Sequence, residues 1–390
     1  MLRLRSSILV HLLSSPSTSP GSPLQRLLYA TAARIVRNPR FAVEEYLVDT
    51  CGLTRTQALK ASPKISHLKS PTNPDAVLDF LAGLGLSSAD IAALVAKDPL
   101  FLCTSVERTL DPIVVGLTGL GLSRSEIARL SSVAPLSFRR TSIVSNLPYH
   151  LLLYGSYENL LRVIKNNSSL LRKNLEKVVK PNVGFLRECG LDACGIAKLC
   201  IAQPRLLNTN LERLQAMVSC AEAVGVPRGS GMFRQALHAV SFLSEEKIAA
   251  KVEYLKKTFR WSDAEVGIAV CKFPLTLKLS KDALQSKSEF LISEVGLEPA
   301  YIAHRPIMLG FSLESRLRPR YYVVKFLKEN GLLDYDPSYS TTFKVAEKVF
   351  MEKFICPHKD AAPHLAEDYA ATWKGQVPTR FIFSWTKSLP

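Results

Sequence analysis

Basic side chains recur at one place in this sequence, four and five residues after a repeated hydrophobic motif that is centred on proline. Arg139-Arg140 and Arg172-Lys173 occupy both places, and Lys278 occupies the first of them in a later copy. Arginine can hold a phosphate through two parallel hydrogen bonds, so a row of such residues suits contact with a nucleic-acid backbone. The candidate phosphate-binding residues are Arg139, Arg140, Arg172, Lys173, Arg205, Lys278, Lys281, Arg316, Arg318 and Arg320.

This row of cations is incomplete, and a second interpretation stays open. Cys103, Asn208, Ser244 and Gly310 hold the equivalent first place in other copies of the motif. Basic residues are also ordinary on solvated protein surfaces, where they need no ligand. We favour phosphate contact for the paired residues more than for the single ones.

Three aromatic residues could either stack on bases or belong to the core, and we favour the core for each of them. Tyr321 and Tyr322 follow Arg320 and could stack on unpaired bases. The run Tyr-Tyr-Val-Val-Lys-Phe-Leu is more typical of a helix that faces a core, and we favour that interpretation. Trp261 precedes Ser262 at a predicted helix start, so we expect its ring to pack against that helix.

The cysteines and the motif inventory do not indicate an enzyme. None of the eight cysteines belongs to a Cys-x-x-Cys pair, and we expect most of them to be small buried residues of apolar helices. Cys356, His358 and His364 form one cluster without an obvious fourth ligand. The sequence contains no phosphate-binding glycine loop, no Gly-x-Ser-x-Gly and no His-Glu-x-x-His. We therefore expect no catalytic residues, no metal and no cofactor.

The proline motif itself predicts the elements that must position the cations. The motif recurs with a spacing of 32 to 36 residues, and a fixed period in this range indicates a helical solenoid. Six of its eight positions are proline, whereas Ser168 and Val240 replace proline in the other two. The motif positions are 63, 99, 135, 168, 204, 240, 274 and 306.

Between successive motif positions the sequence predicts two helices that are separated by a tight turn. Gly121 suits the left-handed residue that ends the first helix. Ser123, three residues before Glu126, suits the N-cap of the second helix, and Pro135 then ends that helix. No stretch shows the sustained alternation of a strand. The prediction is therefore an all-α fold, a helical-repeat solenoid of about eight units.

The repeated motif carries a resemblance to a known family. A hydrophobic residue, three variable residues, a proline and an apolar triplet, as in the stretch from Val95 to Leu102, resemble the repeat of the mitochondrial transcription termination factor (mTERF) family. The resemblance covers about residues 45–355, and its general character is that of plant organellar members. It implies binding of nucleic acid, double-stranded DNA included, along a basic concave path. It also implies a role in organellar gene expression, which in this family ranges from transcription termination and initiation to intron splicing and ribosome assembly.

Composition predicts three parts along the chain. Residues 1–40 are rich in arginine and serine and contain no acidic residue, which is typical of an organellar transit peptide. Their short basic amphipathic opening favours the mitochondrion, with the chloroplast as the alternative. We assign residues 41–355 to the solenoid and residues 356–390 to a polar C-terminal tail.

The net charge of the chain indicates which class of partner it would bind. The formal charge is +16, and because six of the 50 basic residues and none of the 34 acidic ones precede Glu44, the remainder carries about +10. A basic surface favours a polyanion, so we expect organellar DNA or RNA as the partner, with ribosomal or transcription proteins as further candidates. No apolar run approaches the roughly 20 residues of a membrane span, and we expect a monomer without membrane contact.

These features predict a nucleic-acid-binding regulator of organellar gene expression that acts in transcription termination or RNA processing. The alternative is a protein-binding scaffold, or a ribosome-assembly factor without sequence-specific recognition of nucleic acid. An apolar or acidic stripe on the concave side would favour that alternative, because solenoid surfaces bind proteins as readily as nucleic acids.

Overall fold

The computed structural model describes residues 41–373 and 375–376, and every regular element in that range is helical. This confirms the all-α prediction. The described chain divides into an N-terminal unit, residues 41–118 and 122–135, and a C-terminal unit, residues 119–121 and 136–376. The proposed transit peptide, residues 1–40, lies outside the described residues. No helix of the described part is long and apolar enough to cross a membrane.

The N-terminal unit is built from helical pairs, each followed by a short turn at the motif position. A 3₁₀ turn at Pro99–Cys103 and a π-helical turn at Val106–Leu110 separate its fourth and fifth helices. Its helices are α1 Val43–Asp49, α2 Arg55–Ile65, α3 Thr72–Gly83, α4 Ser88–Lys97, α5 Asp111–Gly119 and α6 Arg124–Val133.

The C-terminal unit continues the same alternation and is the longer of the two. Its helices are α7 Pro135–Phe138, α8 Ser142–Tyr154, α9 Tyr157–Asn166, α10 Lys180–Glu188, α11 Ala193–Ala202, α12 Leu211–Ala223, α13 Phe233–Val240, α14 Glu245–Phe259, α15 Asp263–Lys272, α16 Lys281–Ser288, α17 Pro299–His304, α18 Arg318–Glu329, α19 Tyr339–Lys344, α20 Glu347–Phe350 and α21 Leu365–Trp373. Its 3₁₀ turns are Leu170–Arg172, Leu206–Asn208, Pro274–Lys278, Pro306–Gly310 and Cys356–His358. Its π-helical turns are Leu175–Val179, Glu289–Glu294, Leu313–Leu317 and Met351–Ile355.

The turn between the paired helices forms as the sequence predicts. Gly121 has φ +87°, a left-handed conformation that costs glycine little. The Ser123 hydroxyl accepts from the backbone N–H of Glu126, and a Glu126 carboxylate oxygen accepts from the Ser123 backbone N–H at 2.8 Å. The same reciprocal cap joins Ser262 and Glu265. These caps satisfy backbone donors that the helix start leaves unpaired.

The proline of the motif starts a short 3₁₀ turn at three positions. Pro99, Pro274 and Pro306 are each the first residue of such a turn, where the missing N–H would have no partner in any case. We call the turn at each motif position its proline turn, including the serine-led copy near Ser168. Pro63 differs from our prediction, since it lies within the last turn of α2, which ends two residues later.

Polar side chains from the first helix of a repeat hold the end of the proline turn in place. The Asn182 side-chain amide donates to the carbonyl of Thr209 at 2.8 Å, and the Lys287 ammonium donates to the carbonyl of Leu309 at 2.7 Å. The end of a short helix leaves its carbonyls without partners, so these bonds join the two halves of the repeat. Asn73, Asn146, Asn182 and Lys287 bond in this way to proline turns, and Arg320 bonds to the carbonyls at the end of α19; we call these five the carbonyl-capping residues.

The C-terminal end contains a helix within the predicted polar tail. Helix α21 buries Leu365 and Tyr369, and the ring of Tyr369 stacks 5.2 Å from the ring of Phe350. Both belong to a core that also contains Val323 and Val324 of α18. Apolar residues at helical spacing bury one face of Leu365–Trp373, so this helix packs on the core, whereas most of residues 356–364 are exposed. The assignment of residues 356–390 to a separate tail stays a prediction. Residue 374 and residues 377–390 lie outside the described part.

Candidate nucleic-acid interface

Three consecutive proline turns of the C-terminal unit are joined by side-chain hydrogen bonds. The Ser137 hydroxyl donates to the carbonyl of Ser168 at 3.3 Å. The Asn167 amide donates to the carbonyl of Pro204 at 2.7 Å, and the Asn208 amide donates to the Asn167 side-chain oxygen at 3.1 Å. The turns therefore stack side by side. Asn208, which interrupts the row of cations in the sequence, links two of the turns.

Five candidate cations lie on or next to these three stacked turns. Arg140, Arg172 and Arg205 are exposed, whereas Lys173 and Arg139 are half-buried. Arg139 already interacts with another part of the chain. For the other four, no ion pair with any described residue is present. We call Arg140, Arg172, Lys173 and Arg205 the turn cations.

Lys278 and Lys281 belong to a second group of cations in the same unit. The Lys278 ammonium lies 3.3 Å from the Nε2 atom of His238, and Lys281 Nζ lies 5.1 Å from the centre of the Tyr254 ring. Partial burial and the charge of Lys251 lower the pKa of Lys278. Burial, followed by the charges of Lys278 and Arg234, lowers the pKa of His238. Like charges are therefore close together here.

Arg316 and Arg318 are engaged within the protein. The Arg316 guanidinium donates to the carbonyls of Phe343 at 2.9 Å and Val345 at 2.6 Å. Arg318 pairs with Glu314 at 2.8 Å, one helical turn away. Both side chains are half-buried, so a phosphate would have to compete with these existing partners.

Arg320 does not belong to any ligand-binding surface. Its side chain is 1% exposed, and its guanidinium donates to the carbonyls of Thr342, Phe343 and Val345 and to the carboxylate of Glu347. The prediction of a phosphate contact at Arg320 is wrong, because Arg320 is the last of the carbonyl-capping residues. A planar guanidinium with five donors suits this cluster of acceptors.

Comparison with known proteins identifies the fold family. A sequence model of the mTERF family matches residues 47–351, most of the chain. The chain belongs to the mTERF family. This confirms the resemblance and the helical-repeat solenoid that it implies.

Three mTERF relatives from Arabidopsis thaliana show how distant the similarity is. The chain is 24% identical over 164 residues to transcription termination factor MTERF8, chloroplastic, which covers 42% of this chain and 33% of the relative. It is 22% identical over 294 residues to transcription termination factor MTEF18, mitochondrial; this match covers 75% of this chain and 50% of the relative. It is 22% identical over 204 residues to transcription termination factor MTERF15, mitochondrial; this match covers 52% of this chain and 45% of the relative. The chain thus matches half or less of the length of each relative.

Two aromatic residues that could have bound bases, Tyr321 and Trp261, are core residues of this mTERF chain. Tyr321 is 4% exposed, its hydroxyl donates to the carbonyl of Glu294 at 2.8 Å, and its ring lies edge-on to Phe290. Trp261 is equally buried and stacks 4.6 Å from the ring of Phe259. The favoured core interpretation of Tyr321 is confirmed. Trp261 is a core residue as well, but its contacts are with Phe259 and the carbonyl of Pro299, so its packing against the helix that Ser262 begins stays a prediction.

The cysteines of this mTERF chain divide by burial. Cys51, Cys189 and Cys200 are buried, whereas Cys194 and Cys356 are exposed. Burial raises the pKa of Cys200 to about 12, so this thiol stays protonated at neutral pH. Within the described residues, no group of three or more His, Cys, Asp or Glu is placed to hold a metal ion.

Sequence reasoning missed the carbonyl-capping residues and the lysines beside Lys278. Asn146 and Asn182 each precede their motif position by 22 residues, and this shared spacing is a signal that could have found them. Lys247 and Lys251 lie one helical turn apart on α14 and are outside the motif, so the repeat register did not select them.

Proposed function

We propose that this mTERF chain regulates gene expression in an organelle by binding nucleic acid through its phosphate backbone. The observation that carries the proposal is the stacking of three proline turns that present the turn cations. Turns stacked in this way would offer guanidinium and ammonium groups at successive positions along a backbone. The three relatives are called transcription termination factors and carry mitochondrial or chloroplastic in their names.

The proposed mechanism is occupancy. Each turn cation that replaces a counterion of the backbone contributes to affinity without reading the sequence of bases. A solenoid held in this way would block or bend the nucleic acid that a polymerase, ribosome or processing enzyme must use. We propose the mitochondrion as the compartment and the chloroplast as the alternative, and transcription termination or RNA processing as the process.

An apolar groove favours protein binding as the second candidate function. The groove has a volume of about 650 Å³ and is lined by residues of α12, α14 and α15, among them Ile248, Val252, Val266 and Val270. Glu245 and Asp263 also line it. A concave apolar surface of this kind suits a partner protein better than a phosphate backbone.

A salt titration of the full chain on duplex DNA, single-stranded RNA and structured RNA tests the proposal. We expect submicromolar binding to at least one of them, with affinity that falls steeply as salt rises. The preferred ligand would then indicate the process. Absence of binding to all three at low salt would contradict the proposal and favour the protein-binding candidate.

A further inference from the structure

The apolar groove between α12, α14 and α15 differs in charge from the rest of this basic chain. Its described lining contains two carboxylates, those of Glu245 and Asp263, and no lysine or arginine. None of the turn cations is among these lining residues, so the occupant of the groove does not depend on the proposed binding of nucleic acid. Carboxylates would repel a phosphate backbone. The groove therefore suits a ligand whose charge is opposite to that of nucleic acid.

The two carboxylates lie at opposite ends of the groove. Glu245 begins α14, and burial, followed by the charge of Glu245, raises the pKa of the Cys220 thiol, which also lines the groove. Asp263 begins α15 and pairs at 2.6 Å with Lys256, which lies in the last turns of α14. Because Lys256 follows Glu245 by eleven residues and a helix rises about 1.5 Å per residue, the carboxylates are about 16 Å apart along α14.

Both carboxylates can accept a cation from outside the chain. Glu245 is exposed and forms no ion pair with any residue that the structure describes. The Asp263 side chain remains 89% exposed although it pairs with Lys256, so a second cation can reach it. Exposed charges of this kind add little to affinity, but they decide which charge a partner can bring to the rim.

Between the carboxylates the groove is apolar and open to a close approach. Ile248, Val266 and Val270 are buried residues of its lining. Ala249 and Gly267 also line it and carry little or no side chain, so another chain can come near their backbone. An amphipathic helix binds in a groove of this kind by its apolar face.

We propose that the apolar groove binds a helix of a separate protein, whose apolar face is flanked by two basic residues eleven positions apart. Eleven residues make about three turns, so both basic residues lie on one face of the helix and are about 16 Å apart. The apolar residues of that face lie three, four, seven and eight positions after the first basic residue. One basic residue then meets Glu245 and the other meets Asp263, while the apolar side chains cover Val252 and Val266.

The test uses the full chain and three synthetic helical peptides of this design, with lysine, glutamine or glutamate at the two flanking positions. Fluorescence polarisation at low salt measures their affinities. We expect the lysine peptide to bind about five- to tenfold more tightly than the glutamine peptide, and the glutamate peptide to bind most weakly. Added salt should reduce these differences, because it screens exposed charges.

Three variants separate the carboxylates from the apolar surface and from net charge. Glu245→Gln with Asp263→Asn should remove the preference for lysine and keep the affinity for the glutamine peptide. Ala249→Gln adds a polar side chain to the groove without changing its charge, so it should weaken the lysine and glutamine peptides alike. Glu188→Gln with Asp334→Asn, two exposed carboxylates elsewhere, removes the same charge and should keep the preference. Circular dichroism and thermal unfolding check that each variant folds.

Equal affinity for the three peptides would overturn the proposal, and so would an equal loss of preference in the two carboxylate variants. Unchanged peptide binding by Ala249→Gln would also overturn it, since the peptides would then bind elsewhere. Self-association of the wild-type chain that Ala249→Gln abolishes would assign the groove to a second copy instead. Ala249→Gln should keep the affinity for nucleic acid. Failure of the peptides to bind therefore leaves the proposed function intact, and failure of nucleic acid to bind leaves the groove intact.

Discussion

The guanidinium of Arg320 lies 2.8 Å from a carboxylate oxygen of Glu347, and the same group donates to three backbone carbonyls of the intervening chain. This cluster joins α18 to the segment around α19 and α20. Arg320 therefore stabilises the C-terminal end of the fold, although its sequence neighbourhood suggested a ligand contact.

Arg320→Ala should lower the free energy of unfolding by about 3 kcal/mol, because it leaves buried carbonyls and a carboxylate without their donor. Lys348→Ala is the matched control, since Lys348 and Glu352 form an exposed pair at 3.9 Å. Its expected effect is within about 0.5 kcal/mol. Denaturant unfolding of the two variants measures the difference, and equal effects would contradict the capping role of Arg320.

Asn182 tests the carbonyl-capping role in the middle of the chain. Its amide is a donor to Leu207 and Thr209, and its side chain is buried. Asn182→Asp should destabilise the fold more than Asn182→Ala, because an ionised carboxylate is only an acceptor and faces carbonyl oxygens. The expected loss for Asn182→Ala is about 1 to 3 kcal/mol. Denaturant unfolding at neutral pH ranks the variants, and an Asp variant as stable as wild type would show that donation is unimportant.

Local signals in the sequence predicted the helices and turns. Contacts between distant parts of the sequence decided which polar residues are available to bind a ligand. Ser123, Glu126 and Gly121 act within a few residues of one another, so their spacing predicts the cap and the turn. Arg318 and Arg320 look equivalent in sequence. Their roles differ because the acceptors of Arg320 lie 22 to 27 residues away, a separation that only the packed repeat defines.

Gly310 explains why one copy of the motif lacks a cation. A Cβ atom at this position would lie 2.7 Å from the Cζ atom of Phe273. Gly310→Ala should therefore cost about 1 to 3 kcal/mol through overpacking. Gly184→Ala is the control, since no atom lies within 4 Å of the added Cβ in helix α10, and it should stabilise by about 0.5 to 1 kcal/mol. Thermal unfolding compares them, and shifts of the same sign would refute the steric explanation.

His150 should make stability depend on pH. Its ring is buried, neither ring nitrogen has a hydrogen-bond partner within the described chain, and burial lowers its pKa to about 4. The folded state thus binds the proton less readily than the unfolded state, whose histidine pKa is about 6.5. The free energy of unfolding keeps its full value above about pH 6.5 and declines as pH falls toward 4. At pH 5 the loss is about 2 kcal/mol.

His150→Phe should remove this pH dependence, because phenylalanine cannot take up a proton. His304→Asn replaces an exposed histidine and should retain the wild-type profile. The free energy of unfolding at a series of pH values gives the comparison. A His150→Phe profile that still falls by the full amount between neutral pH and pH 5 would show that other groups cause the decline.

The most direct test of the central proposal is the salt dependence of nucleic-acid binding by a variant without the turn cations. Arg140, Arg172, Lys173 and Arg205 are changed together to glutamine. The control changes four other exposed lysines, Lys64, Lys257, Lys348 and Lys359, and so has the same net charge. Both variants and the wild type are titrated on the preferred nucleic acid over a range of salt concentrations.

If the turn cations contact phosphates, their variant should bind more weakly than the control. The slope of log affinity against log salt should also fall in magnitude by about three to four. The control should keep the wild-type slope to within about one, because its lysines lie elsewhere and act only through net charge. Equal affinities and equal slopes for the two variants would contradict the account and assign the turn cations to an ordinary solvated surface.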